Sequence, residues 1–128
     1  MKTTQAGDAR TEPQIIRCYV YARVARSNPL AIERQVQDCY SLAERLSTQG
    51  AEYQVVRVFQ DDGGSGVSDR RPAYEEMLTE LDRGEVSTVL VFAEERLYRD
   101  LALHQAYSEM SHRLGITTYS VQSGRIGR

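Results

Sequence analysis

The sequence predicts an α/β fold: an open, mainly parallel sheet of four to five strands with helices on both faces. Short β-branched and aromatic segments alternate with longer segments whose apolar residues recur at helical spacing. Such an alternation favours parallel strands joined by helical crossovers. The 128 residues suffice for one domain, and a hydrophobic fraction of 41% with a charged fraction of 27% argues against a disordered or membrane-embedded chain.

The first half of the chain supplies two strands and one helix. Residues 1–14 are polar and aperiodic, so we predict a disordered leader there and a single folded domain over the rest of the chain, 15–128. A buried strand is predicted at Ile15 to Ala22 and a second strand at Tyr53 to Phe59. Between them, Leu30 to Thr48 predicts a helix. Its apolar stripe consists of Ile32, Val36, Cys39, Ala43 and Leu46.

The second half repeats this alternation after a glycine-rich segment, Asp61 to Ser68, which we predict to be a loop. Pro72 suits the first turn of a second helix, predicted from Arg71 to Arg83. A third strand, a third helix and a fourth strand follow, and then a glycine-containing tail, SGRIGR. These last three elements are predicted at Val86 to Ala93, Asp100 to Leu114 and Ile116 to Val121.

The charged residues have an unusual composition, because 15 of the 16 basic residues are arginine and Lys2 is the only lysine. A P-loop lysine and a Schiff-base lysine are therefore excluded from the body of the fold. The net charge of −2 argues against a domain that holds nucleic acid by bulk charge alone. Cys18 and Cys39 have neither metal-site nor disulfide-framework spacing, and no signal-peptide core or spanning apolar run is found, so we expect a cytoplasmic location.

Arginines follow three successive predicted strands, at the edge where open α/β sheets bind their ligands. The six candidates are Arg23, Arg26, Arg70, Arg71, Arg96 and Arg99. A single surface arginine is ordinarily a solvated charge, but converging guanidinium groups suit bidentate recognition of phosphate oxygens. The pattern points to a phosphodiester. A magnesium site at Asp61 and Asp62 is less favoured than a pair of aspartates at the start of a loop that hydrogen-bond to their own backbone. His104 and His112 lack the partners of a metal site.

Five short motifs occur in order along the chain: YARV at 21–24, IERQ at 32–35, DDGGSG at 61–66, DRRP at 69–72 and ERLYRD at 95–100. Together they resemble the catalytic domain of the serine site-specific recombinases, the resolvase/invertase family, and most of all its large serine integrase branch. The similarity extends from about Ile15 to Val121. Five motifs in register make the resemblance far more specific than any one of them alone.

The resemblance implies a DNA recombinase. Enzymes of this family cut both DNA strands with a serine hydroxyl, exchange subunits within a tetramer and reseal the strands. The intermediate is a 5′-phosphoserine linkage, so neither metal nor other cofactor is expected. The arginines that hold the scissile phosphate match Arg23, Arg70, Arg96 and Arg99. Gln35 matches a supporting polar residue, and Glu95 stands where the family usually has aspartate.

The position of the nucleophilic serine is occupied by Ala25. A methyl group cannot attack phosphorus, so we expect the chain to be inactive as written. Three explanations are open: an introduced substitution, a natural regulatory or co-assembling homologue, and attack by Ser27 instead. Ser27 is the least favoured, since nucleophilic attack tolerates a displacement of only about 1 Å.

Family members continue into a long subunit-packing helix and a separate DNA-binding domain, and we expect neither within these 128 residues. We therefore expect weak DNA binding, and self-association to dimers and tetramers in the full-length protein. The remaining alternative is an unrelated flavodoxin-like binding domain, in which the four arginines would lie apart.

Overall fold

The computed structural model describes residues 12–63, 71–98 and 100–127. Its elements are β1 (Gln14–Val24), α1 (Pro29–Leu46), β2 (Ala51–Asp62), α2 (Pro72–Leu81), β3 (Thr88–Val91), a 3₁₀ turn (Glu94–Arg96), α3 (Leu101–Leu114), β4 (Thr117–Ser120) and β5 (Gly124–Ile126). One sheet contains five strands in the order β2-β1-β3-β4-β5. All neighbouring pairs are parallel except β4 and β5. The predicted α/β class and the mainly parallel sheet are confirmed.

Helices cover both faces of the sheet, as predicted. On one face, Ile32 and Cys39 of α1 pack against the β1 residues Cys18 and Val20. On the other face, α2 and α3 pack against the opposite side of β1 and β3 in a core rich in aromatic residues. That second core contains Tyr19, Tyr21, Phe59, Tyr74, Met77, Tyr98 and Tyr107. β1 pairs with β2 and β3 and is covered by helices on both faces. Residues at its carboxyl end are therefore held in fixed positions, as a binding site requires.

The two longer helices begin at side-chain caps that the sequence supplies locally. Asn28 precedes α1 and its Oδ1 accepts a hydrogen bond from the Ala31 N–H at 3.2 Å. Asp100 precedes α3 and accepts one from the Leu103 N–H at 2.9 Å. By contrast, Arg71 at the start of α2 makes no such cap. The amides of α2 therefore need an acceptor from elsewhere in the fold.

The structure corrects two boundaries of the sequence prediction. The loop predicted to begin at Asp61 begins later, because β2 continues through Asp62, which pairs with Val24 of β1; residues 64–68 of that prediction lie outside the described residues. The predicted tail contains β5, which turns back antiparallel to β4. Gly124 has a φ of 80°, a conformation that glycine adopts without strain, and this permits the reversal.

Residues 1–11 of the predicted leader lie outside the described residues, and β1 begins at Gln14. Both cysteines are free and buried. Within the described ranges, none of the helices has the length and apolar character required to cross a membrane.

Candidate phosphate-binding site at the carboxyl edge of the sheet

Three elements meet where β1 ends: the last residues of β1, the last residues of β2 and the 3₁₀ turn that follows β3. β1 and β2 remain paired to their ends, Val24 opposite Asp62, and the 3₁₀ turn packs against β1. Arg23 lies half-buried at the end of β1, and Arg96 lies half-buried on the 3₁₀ turn. Ala25 is exposed in the bend directly after β1. Three of the predicted site residues thus lie on adjoining elements at one edge.

Gln35 holds the main chain of Arg23 from the first helix. Its Oε1 accepts a hydrogen bond from the Arg23 N–H at 3.1 Å, and its Nε2 donates one to the Arg23 carbonyl at 2.9 Å. Pairing between β1 and β3 ends at Tyr21 and Val91, so Gln35 takes over the hydrogen bonding of β1 two residues further on. With 5% of its surface exposed, Gln35 is a buried polar side chain whose donor and acceptor are both used.

Asp61 supplies the missing cap of α2. Its two carboxylate oxygens accept hydrogen bonds from the N–H groups of Ala73 and Tyr74, each at 3.0 Å, and its Oδ2 also accepts one from the Tyr21 hydroxyl at 2.8 Å. A carboxylate at a helix N-terminus is favoured by the orphan amides and by the helix dipole. Asp61 therefore fixes α2 to the ends of β1 and β2 at the same time.

The pKa of Tyr21 reflects the charged groups around the junction, the place where Asp61 joins α2 to the ends of β1 and β2. Burial raises the pKa of its phenol, and the hydrogen bond to Asp61 raises it further. Arg71 and Arg23 act in the opposite direction through their positive charge. Two arginines that are 48 residues apart in the chain thus both lie within electrostatic reach of one phenol.

Arg71 is the buried arginine of the site, with 8% of its surface exposed. Its guanidinium lies over the Tyr74 ring, 3.9 Å from the centroid, and Nη1 donates a hydrogen bond to the Arg96 carbonyl at 3.1 Å. These contacts connect the start of α2 to the 3₁₀ turn. A planar guanidinium fixed by stacking and by one hydrogen bond keeps its other N–H groups in a defined orientation.

Arg96 contributes a second unusual feature, since its Nε is buried and has no hydrogen-bond partner among the described residues. A buried donor without a partner is costly, at about 1–3 kcal/mol. Oxygen atoms of an anion are acceptors that would satisfy it. The arrangement can thus bind a phosphate group through charge and directed N–H donors.

The other predicted residues fall into three groups. Arg70 and Arg99 lie outside the described residues, so the predicted set of four arginines stays a prediction. Glu95 is exposed, and it is the adjacent Glu94 that accepts a hydrogen bond, from the Tyr98 hydroxyl. Ser27 is exposed in the loop after β1.

The Asp61 and Asp62 carboxylates accept main-chain hydrogen bonds, as predicted, but from donors far along the chain rather than from their own loop. The donors are N–H groups of α2 and of Asn28. Among the described residues, no group of three or more histidine, cysteine or acidic side chains is arranged to hold a metal ion. His104 packs against the Tyr98 ring, with centroids 4.6 Å apart.

Sequence reasoning included Arg71 among the six arginines but left it out of the final four. The signal that favours it is its position directly before Pro72, at the first turn of a helix, where its side chain can turn back towards the sheet edge. It also left Asp61 without a role in the site, because that role depends on the register of β1 and β2.

The comparison with protein families shows which family the chain belongs to. Residues 18–127 match the model of the resolvase N-terminal domain. The chain belongs to the resolvase family. It is a catalytic domain of the serine recombinase type.

Solved resolvase-family structures share the fold. A resolvase family site-specific recombinase from Streptococcus pneumoniae is 27% identical, with a TM-score of 0.72 over 85% of this chain and 74% of that one. The C-terminal catalytic domain of ISC1926 TnpA, an IS607-like serine recombinase, is 26% identical, with a TM-score of 0.69 over 83% and 70%. The N-terminal catalytic domain of TP901-1 integrase, at 24% identity and a TM-score of 0.68 over 84% and 78%, supports the fold alone. A comparison with curated proteins found no significant match.

Proposed function

We propose that this chain is the catalytic domain of a serine site-specific DNA recombinase that binds the scissile phosphate through arginines but, with alanine at position 25, cannot form the covalent intermediate. The observation that carries the proposal is the placement of Ala25 in an exposed bend two residues beyond Arg23, on the edge where Arg71 and Arg96 are connected. The proposal assigns phosphate binding to Arg23, Arg71 and Arg96 together with Arg70 and Arg99.

The two connected arginines suit this task because they are oriented before any ligand binds. Arg71 is fixed by the Tyr74 ring and by the Arg96 carbonyl, while the Arg96 Nε is a buried donor in need of an acceptor. Oriented donors stabilise the negative charge that develops on phosphate oxygens as a nucleophile attacks, without a cost of reorganisation at that moment.

The chemical step requires a hydroxyl at position 25. In the serine enzymes, the hydroxyl oxygen forms a bond to phosphorus while the bond from phosphorus to the 3′-oxygen breaks. The hydroxyl proton is released and the 3′-oxygen gains a proton, so that a 5′-phosphoserine and a 3′-hydroxyl result. An alanine methyl has no lone pair and no acidic proton, so this exchange of bonds cannot begin.

Ala25 also favours a second candidate function, a recombinase-like module without catalysis that regulates an active recombinase or co-assembles with it. Under that proposal, phosphate binding persists and the chain enters mixed oligomers with a competent enzyme. Introducing the hydroxyl distinguishes the two, because only an intact catalytic site gains cleavage from it.

The test combines substitutions at positions 25 and 27. The unmodified chain, Ala25→Ser, Ser27→Ala and the double variant are each incubated with a random-sequence pool of end-labelled DNA duplexes, and covalent protein–DNA products are separated on denaturing gels. We expect product from both variants that carry Ala25→Ser and none from the other two.

Two outcomes would contradict the proposal. A covalent product from the unmodified chain, lost in Ser27→Ala, would show that Ser27 attacks and that the chain is active. DNA binding by Ala25→Ser without any covalent product would argue against the assignment of position 25 as the nucleophile position.

A further inference from the structure

The loop of residues 25–28 carries the proposed nucleophile position. All four of its residues are exposed. It leaves β1 after Val24 and ends at Asn28, the cap of α1. The position of such a loop depends on where its main-chain groups find hydrogen-bond partners.

The end of β2 supplies those partners on both sides of the loop. The Gly63 N–H donates to the Val24 carbonyl at 2.9 Å, just before the loop begins. Asp62 Oδ1 accepts a hydrogen bond from the Asn28 N–H at 2.8 Å, where the loop ends. Two consecutive residues of one strand end thus hold the loop at its first and last points.

Gly63 also determines how closely the two main chains approach. Its φ is +60°, and a Cβ added to it would lie less than 3.0 Å from main-chain atoms of Arg26 and Ser27. Main-chain atoms cannot move aside as the end of a flexible side chain can. Any side chain at position 63 must therefore displace the 25–28 loop.

We propose that Asp62 and Gly63 are positioning residues: together they hold the 25–28 loop so that the group at position 25 faces the phosphate-binding arginines. This inference rests on the proposed function, which supplies the role of position 25. Neither residue touches the phosphate in this scheme. Asp62 acts through one carboxylate oxygen as a hydrogen-bond acceptor, and Gly63 acts through the absence of a side chain.

The first test uses a thiol as a reporter of position, and it needs no DNA. In an Ala25→Cys background, the introduced thiol is alkylated with iodoacetamide over a range of pH. Cys18 and Cys39 will not interfere, because both are buried and burial raises the pKa of Cys18 to about 11 and of Cys39 to about 12. Nearby arginines lower the pKa of an exposed thiol below its usual value of about 8.5.

Gly63→Ala is compared with Gly84→Ala in that background. Gly84 also has a positive φ, +79°, but nothing lies within 4 Å of a Cβ placed there, so both variants carry similar backbone strain and only one meets the loop. We expect Gly63→Ala to raise the pKa of the introduced thiol by about one unit, and so to slow alkylation near pH 7 by up to about tenfold. Gly84→Ala should leave the pKa unchanged.

Asp62 is tested by rescue. Asp62→Ala should raise the pKa of the introduced thiol, whereas Asp62→Asn keeps an acceptor oxygen for the Asn28 N–H and should restore most of the original value. Equal pKa values in Gly63→Ala and Gly84→Ala, or equal shifts in Asp62→Asn and Asp62→Ala, would overturn the inference.

A second measurement separates this inference from the proposed function. In the Ala25→Ser background, Gly63→Ala should reduce the rate of covalent product formation by about 100-fold, because a displacement of about 1 Å has an effect of that size, while affinity for DNA changes little. If Ala25→Ser forms no product at all, the proposed function fails and the thiol pKa still decides the inference. If Gly63→Ala and Gly84→Ala form product at equal rates, the inference is overturned and the proposed function is not.

Discussion

The two sides of the candidate site are built in different ways. The side that carries position 25 is held through main-chain groups, by Gln35 on Arg23 and by Asp62 on Asn28. The side that carries the connected arginines is held through a side chain, because the Arg71 guanidinium lies over Tyr74 and donates to the Arg96 carbonyl. On the first side the side chain at position 25 is exposed.

This difference has a consequence for substitution. On the position-25 side, the residue proposed to face the substrate can change without loss of the hydrogen bonds that hold the loop, and alanine stands there. On the arginine side, the group proposed to bind phosphate is also the group that connects α2 to the 3₁₀ turn. Loss of function and loss of stability should therefore be separable on the first side and coupled on the second.

The largest effect is expected on the coupled side, from Arg71→Ala. Removing the guanidinium leaves the Arg96 carbonyl without its donor and Tyr74 without its cation, so we expect the free energy of unfolding to fall by about 2–3 kcal/mol. Affinity for inorganic phosphate should fall by about tenfold or more. Urea unfolding and an NMR titration with phosphate measure the two effects.

Arg57→Ala is the matched control for that variant. Its guanidinium also lies over an aromatic ring, Phe59 at 4.3 Å, and forms an ion pair with Glu76 at 2.6 Å, but the residue is exposed. Because solvent screens an exposed ion pair, Arg57→Ala should reduce stability much less than Arg71→Ala, and phosphate affinity should not change. Equal effects of the two substitutions would remove the distinction between the two sides of the site.

A smaller effect is expected on the main-chain side, from Gln35→Leu. Leucine keeps the apolar contacts inside α1 but leaves the Arg23 N–H and carbonyl without their partner, so we expect a loss of about 2 kcal/mol in urea unfolding. Gln37→Leu, on the exposed face of the same helix, should change stability by no more than about 0.5 kcal/mol. If Gln35→Leu and Gln37→Leu have equally small effects on the free energy of unfolding, the hydrogen bonds from Gln35 to the Arg23 main chain do not stabilise the end of β1.

The sequence was sufficient to predict the strands and helices that have a recognisable residue pattern of their own. The alternating strand and helix periods located β1 to β4 and the helices α1 to α3. Burial on both faces of the sheet leaves a continuous apolar run in β1 and β3, whereas the edge strand β2 is recognised by its β-branched and aromatic residues. β5 was missed, since three residues that include Gly124 carry no period. The end of β2 was missed because Asp61 and Asp62 have turn-like composition, and only pairing with Arg23 and Val24 makes them part of a strand.

Candidate site residues could be named from the sequence where a motif marks their position. Their contacts could not be predicted, because those depend on packing. Gln35 was named from its position, and the structure adds that it bonds the Arg23 main chain. Arg71 was not among the four predicted arginines, because its stacking on Tyr74 and its hydrogen bond to the Arg96 carbonyl depend on packing. The adjacent Arg70 lies outside the described residues and stays a prediction. The roles of Asp62 and Gly63 depend on the approach of two strand ends that are far apart in the chain.

The smallest effect comes from the junction between the two sides, where Tyr21 donates to Asp61. Burial raises the pKa of Tyr21 above the ordinary value of 10.0, so its contribution is fully present below about pH 10 and is lost as the pH rises above that value, where the unfolded state releases the proton first. Between about pH 10 and 11, the free energy of unfolding of Tyr21→Phe should therefore fall by about 1 kcal/mol less than that of the unmodified chain. Urea unfolding at the two pH values measures this difference. Equal slopes for Tyr21→Phe and the unmodified chain would mean that the Tyr21 phenol ionises as readily in the folded protein as in the unfolded one, and that its contact with Asp61 is open to solvent.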